Sequence, residues 1–263
     1  MSPIEEFIIK NQSYLEDLNK VYNFKEIFEI VKPKCSPITF GQYLRKYLDY
    51  KKYKEQRRKF DAFYFDIIDT EDKAYLLGFI VADGCLYKTN NSLIIAISEK
   101  DIEIINRFQN IIGIGSYSLQ PKLNPLHQNI SRLTYTSEYL LNSLNNLGIP
   151  YNKSKEQFGI PNIPEELIPF FINGYFDGDG SVSNWRNKNF EVCFTDSNKL
   201  LLSEIQQYLN KNLNIKGSFR QRENYYQYRF AGINNLTKFY KQIYSKGVVL
   251  KRKQNKFLDA IPC

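Results

Sequence analysis

Two short segments of this chain each end in an aspartate and a glycine, and the aspartates could do chemistry. Residues 76–84 read LLGFIVADG and residues 172–180 read INGYFDGDG, and aligning them matches Asp83 with Asp179. If the fold brings these two carboxylates together, they repel each other, and a divalent cation relieves that repulsion. Mg²⁺ prefers carboxylates together with water and phosphate oxygens, and metal ions held in this way can activate water for attack on a phosphodiester. The pair therefore indicates metal-dependent phosphodiester hydrolysis.

The small residues in both segments indicate how the carboxylates could meet. Each segment is rich in apolar residues, and its two small residues stand four positions apart, which places them on one face of a helix. These residues are Gly78 and Ala82 in the first segment, and Gly174 and Gly178 in the second. Small side chains let two helix backbones approach closely. Two helices packed in this way would bring the aspartates together at their C-terminal ends, and the glycine after each aspartate would let the chain leave the helix.

The segments that follow the two motifs repeat in the same order. An aliphatic strand pattern at 92–98 corresponds to an alternating pattern at 190–196, and helical patterns follow at 99–113 and 197–213. A glycine-containing turn, two strand patterns and another amphipathic helix come next in both halves. The sequence therefore predicts an α+β fold of two α-β-β-α-β-β-α repeats. Each repeat would form a four-stranded antiparallel sheet with one face on the helices and the other face free.

The doubled motif and the repeated order of elements resemble the LAGLIDADG homing endonucleases in their single-chain, two-repeat form. The resemblance covers roughly residues 66–263 and implies a saddle of two sheets that binds double-stranded DNA. In this family the catalytic acid is the eighth motif position, and both copies keep aspartate there, Asp83 and Asp179. The sixth position differs between the copies, with Val81 in the first and Asp177 in the second.

The resemblance also implies an activity. It is site-specific double-strand cleavage with Mg²⁺ or Mn²⁺ bound by the two motif aspartates, at a long and nearly asymmetric target. Both half-sites would be covered by one chain, so we expect a monomer that needs no protein partner. Such a nuclease promotes the homing of a mobile element, such as an intron or an intein.

Basic and amide side chains on the predicted strands of the second repeat could contact DNA. They stand among aromatic residues in the segment GSFRQRENYYQYRF, and they are Arg220, Arg222, Gln227 and Arg229. Arginine and glutamine suit bidentate contacts with guanine and adenine in the major groove. For any single one of these side chains, contact with phosphate or solvent is the more ordinary role.

In the LAGLIDADG family a basic residue near the metal site assists charge stabilisation, and the resemblance implies such a residue here without identifying it. Arginines at matching places after the two motifs, and lysines that recur near the end of each repeat, could take this role. The candidates are Arg132, Arg229, Lys155 and Lys253, with Lys153 and Lys251 beside them.

The boundaries that follow are residues 66–160 for the first repeat and 161–263 for the second, and residues 1–65 lie outside the resemblance. Two apolar helical faces separated by a proline-containing break outline a helix-turn-helix within residues 1–65. Residues 51–59 hold six basic residues against one acid. We therefore predict a helical DNA-binding module followed by a basic linker. The alternative is a helical cap that packs on the first repeat.

Composition agrees with a nucleic-acid partner. The formal net charge is +8 and the pI is about 9.1, which favours a polyanion. The four cysteines form no CxxC pair, so neither a zinc ribbon nor a disulfide framework is indicated. The first residues do not have the pattern of a signal peptide and no stretch reaches the length of a membrane span, so we expect a soluble intracellular protein.

Two other readings remain open. The first is a non-cleaving DNA- or RNA-binding protein of the same fold, such as an intron maturase or a transcription regulator. The second is a helix-turn-helix regulator whose C-terminal part senses a small molecule, a reading in which the doubled motif has no role. The second motif could also be a solvated turn or part of a calcium loop, although the ligand spacing does not favour an EF-hand.

Overall fold

A computed structural model describes residues 1–49, 55–56, 58–122, 128–185 and 189–261. The chain divides into two compact units, Met1–Ala62 and Phe63–Cys263. Most of the basic run at 51–59 lies outside the described residues, as does His127, which we expected in a loop. Within the described part of the chain, none of the helices combines the length and apolar character that a bilayer crossing requires.

Among the described residues of the first unit, four helices share a core. They are α1 (Pro3–Lys10), α2 (Gln12–Val21), α3 (Phe24–Val31) and α4 (Pro37–Tyr47). Side-chain oxygens of Ser2, Asn23 and Ser36 accept hydrogen bonds from backbone N–H groups at the starts of α1, α3 and α4, which fixes where these helices begin. The helices bury one apolar cluster, which comprises Ile8, Leu15, Ile27, Phe40, Leu44 and Leu48.

The second unit repeats one order of elements twice. The first half contains α5 (Glu71–Asp83), β1 (Gly84–Tyr87), β2 (Ser92–Ser98), α6 (Ile102–Ile112), β3 (Ser116–Gln120), β4 (Ile130–Thr136) and α7 (Glu138–Asn146). The second half contains α8 (Ile168–Asp179), β5 (Gly180–Trp185), β6 (Asn189–Asp196), α9 (Lys199–Leu213), β7 (Ser218–Gln221), β8 (Tyr226–Ala231) and α10 (Ile233–Gln242). The predicted order of elements is confirmed in both halves.

Each half forms one four-stranded antiparallel sheet, with strand orders β1-β2-β4-β3 and β5-β6-β8-β7. Burial alternates along β4, with buried Leu133 and Tyr135 on one face and Arg132 on the other. Tyr228 and Phe230 are the buried residues at the corresponding place in β8. Each sheet therefore covers a core with one face and leaves its second face available.

Within the boundary predicted for the second repeat, the chain forms one helix more than the predicted order of elements, α11 (Lys251–Ala260). The basic segment near the end of the first repeat, residues 152–158, forms turns rather than a helix. Residues 251–260 contain no glycine or proline, whereas the segment in the first half runs directly into Gly159 and Pro161. Those two residues disfavour helix formation there.

Candidate active site

The motif helices α5 and α8 pack against each other through glycines. A Cβ atom added at Gly78 would lie 2.0 Å from the carbonyl oxygen of Phe171, and one added at Gly174 would lie 1.9 Å from the carbonyl oxygen of Tyr75. These distances are far below van der Waals contact, so only glycine permits this approach of the two backbones.

The same packing continues to the C-terminal ends of the helices, where the motif acids stand. A Cβ atom at Gly178 would meet Cβ of Ala82 at 2.3 Å and Oδ2 of Asp83 at 3.1 Å. The carboxylate of Asp83 therefore lies against the end of α8, beside Asp179. The structure brings together the two acids and the four packing residues that the sequence singled out.

Burial and mutual repulsion both act on the acid pair. Burial, followed by the neighbouring carboxylates of Asp83 and Asp196, raises the pKa of Asp179 to about 7, against the effect of Lys153 and Lys253. Burial also raises the pKa of Asp83, which Lys153 and Lys253 oppose. Acids held in a desolvated cluster of like charges are typical of a functional site.

Two lysines, buried Lys253 and half-buried Lys153, compensate part of this negative charge, and each binds the last turn of one motif helix. The ammonium group of Lys153 donates to the carbonyl oxygens of Ile80 (3.1 Å), Val81 (2.6 Å) and Ala82. The ammonium group of Lys253 donates to those of Phe176 (2.6 Å), Asp177 (2.7 Å) and Gly178 (3.3 Å). Each lysine therefore neutralises a negative helix end as well as the nearby acids.

Burial lowers the pKa of both lysines, and the neighbouring carboxylates oppose this shift. The resulting pKa of Lys253 is about 8. Because all three N–H donors of each ammonium group are taken by carbonyls, the lysines act on the site as fixed positive charges. A phosphate group near the two acids would meet this charge without displacing either side chain.

Of the two candidate lysines in the first repeat, Lys153 and Lys155, the structure places Lys153 against a helix end. Lys155 is exposed in the turn after α7, and Lys153 occupies the place equivalent to Lys253. The basic segments at 152–158 and 250–257 differ by one residue in length. The sequence therefore does not decide which lysine of the first repeat corresponds to Lys253, whereas the contacts with the helix ends do.

The two candidate arginines occupy the strands rather than the helix ends. Arg132 in β4 pairs in register with Ala96 and Ser118. Arg229 in β8 forms an ion pair with Glu191, with 3.1 Å between nitrogen and oxygen, and donates to Oε1 of Gln227 at 2.7 Å. The cations that act most strongly on the motif acids are instead Lys153 and Lys253.

The remaining predicted DNA contacts fall into two groups. Arg220 in β7 and Arg222 just after it are exposed. Gln227 is buried, and its amide donates weakly to Thr195 at 3.4 Å while it accepts from Arg229. Arg220 and Arg222 are therefore ready to meet a ligand, whereas Gln227 and Arg229 are already engaged within their sheet.

Asp177 lies at the centre of a polar network that the sequence did not reveal. It is 1% exposed, and its carboxylate accepts hydrogen bonds from Tyr75 (2.8 Å), Tyr244 (2.8 Å) and the backbone N–H of Leu250 (3.0 Å). Burial raises the pKa of Asp177 to about 6, against the effect of Lys253 and the tyrosine hydroxyls. The network connects α5, α8 and the segment that leads to Lys253.

A divalent cation fits the acid pair by the chemistry of its donors. Among the described residues, no group of three histidine, cysteine, aspartate or glutamate side chains could hold a metal ion. Mg²⁺ does not require one, because it commonly binds through one or two carboxylates and completes its shell with water and substrate phosphates. Asp83 and Asp179 would supply the carboxylates.

Two family models match the second unit, one in each half. Residues 72–153 match the WhiA LAGLIDADG-like domain, and residues 166–244 match the LAGLIDADG-like domain. Among curated proteins, the chain is 29% identical over 176 residues to the probable translation initiation factor IF-2 of Methanocaldococcus jannaschii. This match covers 63% of the chain but spans only 14% of the length of that protein.

Solved structures of homing endonucleases resemble the chain in fold. The homing endonuclease I-WcaI bound to its DNA recognition sequence gives a TM-score of 0.53 at 16% identity, over 92% of this chain and 100% of that one. I-DmoI in complex with DNA and Ca gives 0.50 at 18% identity, over 70% of this chain and 96% of that one. At these identities the likeness concerns the fold alone. Residues 72–153 and 166–244 of the second unit are therefore each similar to a LAGLIDADG-like domain.

Proposed function

We propose that this protein is a site-specific DNA endonuclease that hydrolyses both strands of a long, nearly asymmetric duplex target with Mg²⁺ or Mn²⁺. The observation that carries the proposal is the pair Asp83 and Asp179, held together at the ends of two packed helices whose last turns each bind a lysine. A pair of desolvated carboxylates does not stabilise the fold, because the burial of each charge costs free energy and the two charges repel each other.

The residues would divide the chemistry as follows. Asp83 and Asp179 would hold the divalent cation, which would supply an activated water and stabilise the leaving oxygen. The carboxylates must be ionised to do so, and cation binding favours that state. Lys153 and Lys253 reduce the negative potential of the acid pair and the helix ends, so that an anionic phosphate can approach.

Duplex DNA is the substrate that the surroundings of this pair favour. Each LAGLIDADG-like half offers one sheet face away from the core, and in the second half this face carries exposed Arg220 with Arg222 beside it. The net charge of +8 supports a polyanionic partner. Because one chain supplies two non-identical halves, we expect a monomer to cover both half-sites without a protein partner.

A second candidate rests on a specific observation. The model that matches residues 72–153 is the WhiA type of LAGLIDADG-like domain, so a DNA-binding regulator without cleavage activity is the alternative. The match to the translation factor covers only 14% of that protein, which is too little to indicate a role in translation. As an endonuclease, the protein would serve the homing of a mobile element such as an intron or an intein.

Selection of bound duplexes followed by cleavage separates the two candidates. The full chain is incubated with a random duplex library in Ca²⁺, bound sequences are recovered, and Mg²⁺ or Mn²⁺ is then added to the recovered duplexes. We expect double-strand cuts at one position, and we expect Asp83→Asn and Asp179→Asn each to abolish them while binding persists. Tight binding that never leads to a cut with Mg²⁺ or Mn²⁺ would support the regulator instead.

A further inference from the structure

The first unit contains a helix-turn-helix arrangement that none of the matched domain models covers. Helix α3 ends at Val31, Lys32 adopts the left-handed conformation with a φ of 45°, and Ser36 caps the start of α4. The two helices pack through aromatic rings, with the ring centres of Phe28 and Phe40 5.8 Å apart. Two packed helices joined by a short break with a left-handed residue are the framework of many DNA-binding modules.

Helix α4 buries one side and exposes the other. Phe40, Gly41 and Leu44 are buried in the core of the unit, whereas the side chain of Ile38 is 73% exposed and Gln42 is exposed one turn later. A glutamine and an aliphatic side chain near the N-terminal end of a helix are suited to base edges. Glutamine binds adenine bidentately, and an apolar side chain contacts the thymine methyl group.

Charge in the first unit is separated along the chain. Residues 30–48, from the end of α3 to the end of α4, contain four basic residues and no acid, whereas residues 1–29 contain six acids and three basic residues. One of the four, Lys46, is paired with Glu5 at 2.7 Å. The other three are Lys32, Lys34 and Arg45. None of these three forms an ion pair with another residue that the structure describes.

We propose that α4 is a recognition helix that lies in the major groove of duplex DNA and reads a block of base pairs separate from the target of the LAGLIDADG-like halves. Gln42 and Ile38 contact base edges, and Lys32, Lys34 and Arg45 contact phosphates. The proposal concerns binding by the first unit and does not depend on cleavage by the second.

A peptide is the other occupant to test. An apolar cavity of about 330 Å³ is lined by Phe24, Ile38 and Leu44, among others, and could accept a hydrophobic side chain. The cations around α4 favour DNA over an apolar peptide, because they would gain nothing from a hydrophobic partner and would each release counterions from a duplex.

The test uses the full chain and a library of long random duplexes, with Ca²⁺ present so that cleavage does not deplete the bound sequences. We expect two preferred blocks in the selected DNA. Gln42→Ala should weaken the preference at one position of one block by about fivefold to about 150-fold, the range for a lost bidentate contact, and should leave the other block unchanged. Gln42 is exposed, so this variant should melt like the parent.

Salt dependence tests the phosphate contacts independently. Removing Lys32, Lys34 and Arg45 together should reduce the slope of log affinity against log salt by about 2.7, or about 0.9 for each neutralised phosphate. The matched control is Lys10→Ala, an exposed lysine at the end of α1 outside the cationic segment, which should leave the slope unchanged.

The proposal is overturned if Gln42→Ala and the triple variant select the same sequences as the parent and show the same salt slope. A peptide-binding surface would then be the better explanation of α4. A parent that reads both blocks but never cuts in Mg²⁺ refutes the endonuclease activity alone. The two failures are therefore distinguishable.

Discussion

Replacing Asp179 by asparagine should stabilise the metal-free protein above neutral pH and have little effect in acid. The folded protein raises the pKa of this carboxyl from 3.8 to about 7, chiefly through burial and then through Asp83 and Asp196. Each pKa unit corresponds to about 1.4 kcal/mol, so ionised Asp179 costs the folded state up to about 4 kcal/mol. The helix end is partly exposed, and solvent screening reduces the expected effect to about 2 to 4 kcal/mol.

The direction follows from proton binding. Between pH 3.8 and about 7 the folded state holds a proton on Asp179 that the unfolded chain has already released. The free energy of unfolding therefore falls as pH rises through this window, and the whole cost is present above about pH 7. Asparagine carries no charge at any pH, so Asp179→Asn should lose this part of the pH dependence.

The effect on stability can be measured by urea unfolding of the parent and of Asp179→Asn in EDTA, below pH 4 and above pH 8. The quantity to compare is the difference in unfolding free energy between the two proteins at each pH. Asp259→Asn, a change at an exposed carboxylate in α11, is the control and should show no such difference. Adding Mg²⁺ above pH 8 should stabilise the parent by about 2.7 kcal/mol at a hundredfold excess over its dissociation constant, and should stabilise Asp179→Asn much less. An equal difference at both pH values would refute the reasoning that burial and repulsion destabilise this acid pair.

Three further substitutions test the parts around the acids. Gly174→Val should cost more than about 4 kcal/mol of unfolding free energy, because its Cβ would lie 1.9 Å from a carbonyl oxygen of α5; a normal thermal melt would contradict this packing. Tyr75→Phe should cost about 1 to 3 kcal/mol because the buried carboxylate of Asp177 loses a donor, which denaturant unfolding measures. Lys253→Met should slow single-turnover cleavage roughly a hundredfold, while exposed Lys155→Met should cleave at the parental rate; equal rates for the two variants would remove Lys253 from the site.

Much of the fold could be predicted because its signals are local. Apolar residues that recur every second residue indicate a strand, and those that recur about every fourth residue indicate a helix, within short stretches of sequence. Because the sequence repeats, each of these patterns occurs twice. The approach of the motif helices was also predictable, because Gly78 and Gly174 occur at spacings that only close packing explains. The motif acids followed from the same alignment.

The rest of the site could not be predicted, because it depends on contacts between residues that are far apart in the sequence. The hydrogen bond between Tyr75 and Asp177 joins residues 102 positions apart, and that between Tyr244 and Asp177 joins residues 67 apart. A tyrosine in an apolar helix has the same local pattern whether or not its hydroxyl finds a carboxylate. Likewise, nothing in a short basic segment distinguishes Lys153, which binds a helix end, from exposed Lys155.

The differences between the two halves bear on the kind of target that the protein would read. Asp177 with its tyrosine partners has no polar equivalent in the first motif, where Val81 occupies the matching position. In addition, Arg252 beside Lys253 forms a bidentate ion pair with Asp101, with distances of 2.7 and 2.9 Å. The position before Lys153 is instead an asparagine.

The surroundings of the two acids are therefore unequal, although the backbone pattern repeats. A homodimer must present identical halves, whereas one chain can keep different networks behind Asp83 and Asp179. If the proposed endonuclease activity holds, unequal surroundings should give unequal rates at the two scissile phosphates. A nicked duplex should then accumulate transiently with one particular strand cut, and time courses with each strand labelled would reveal it. Simultaneous cutting, or nicks shared equally between the strands, would mean that the differences behind the acids do not reach the chemistry.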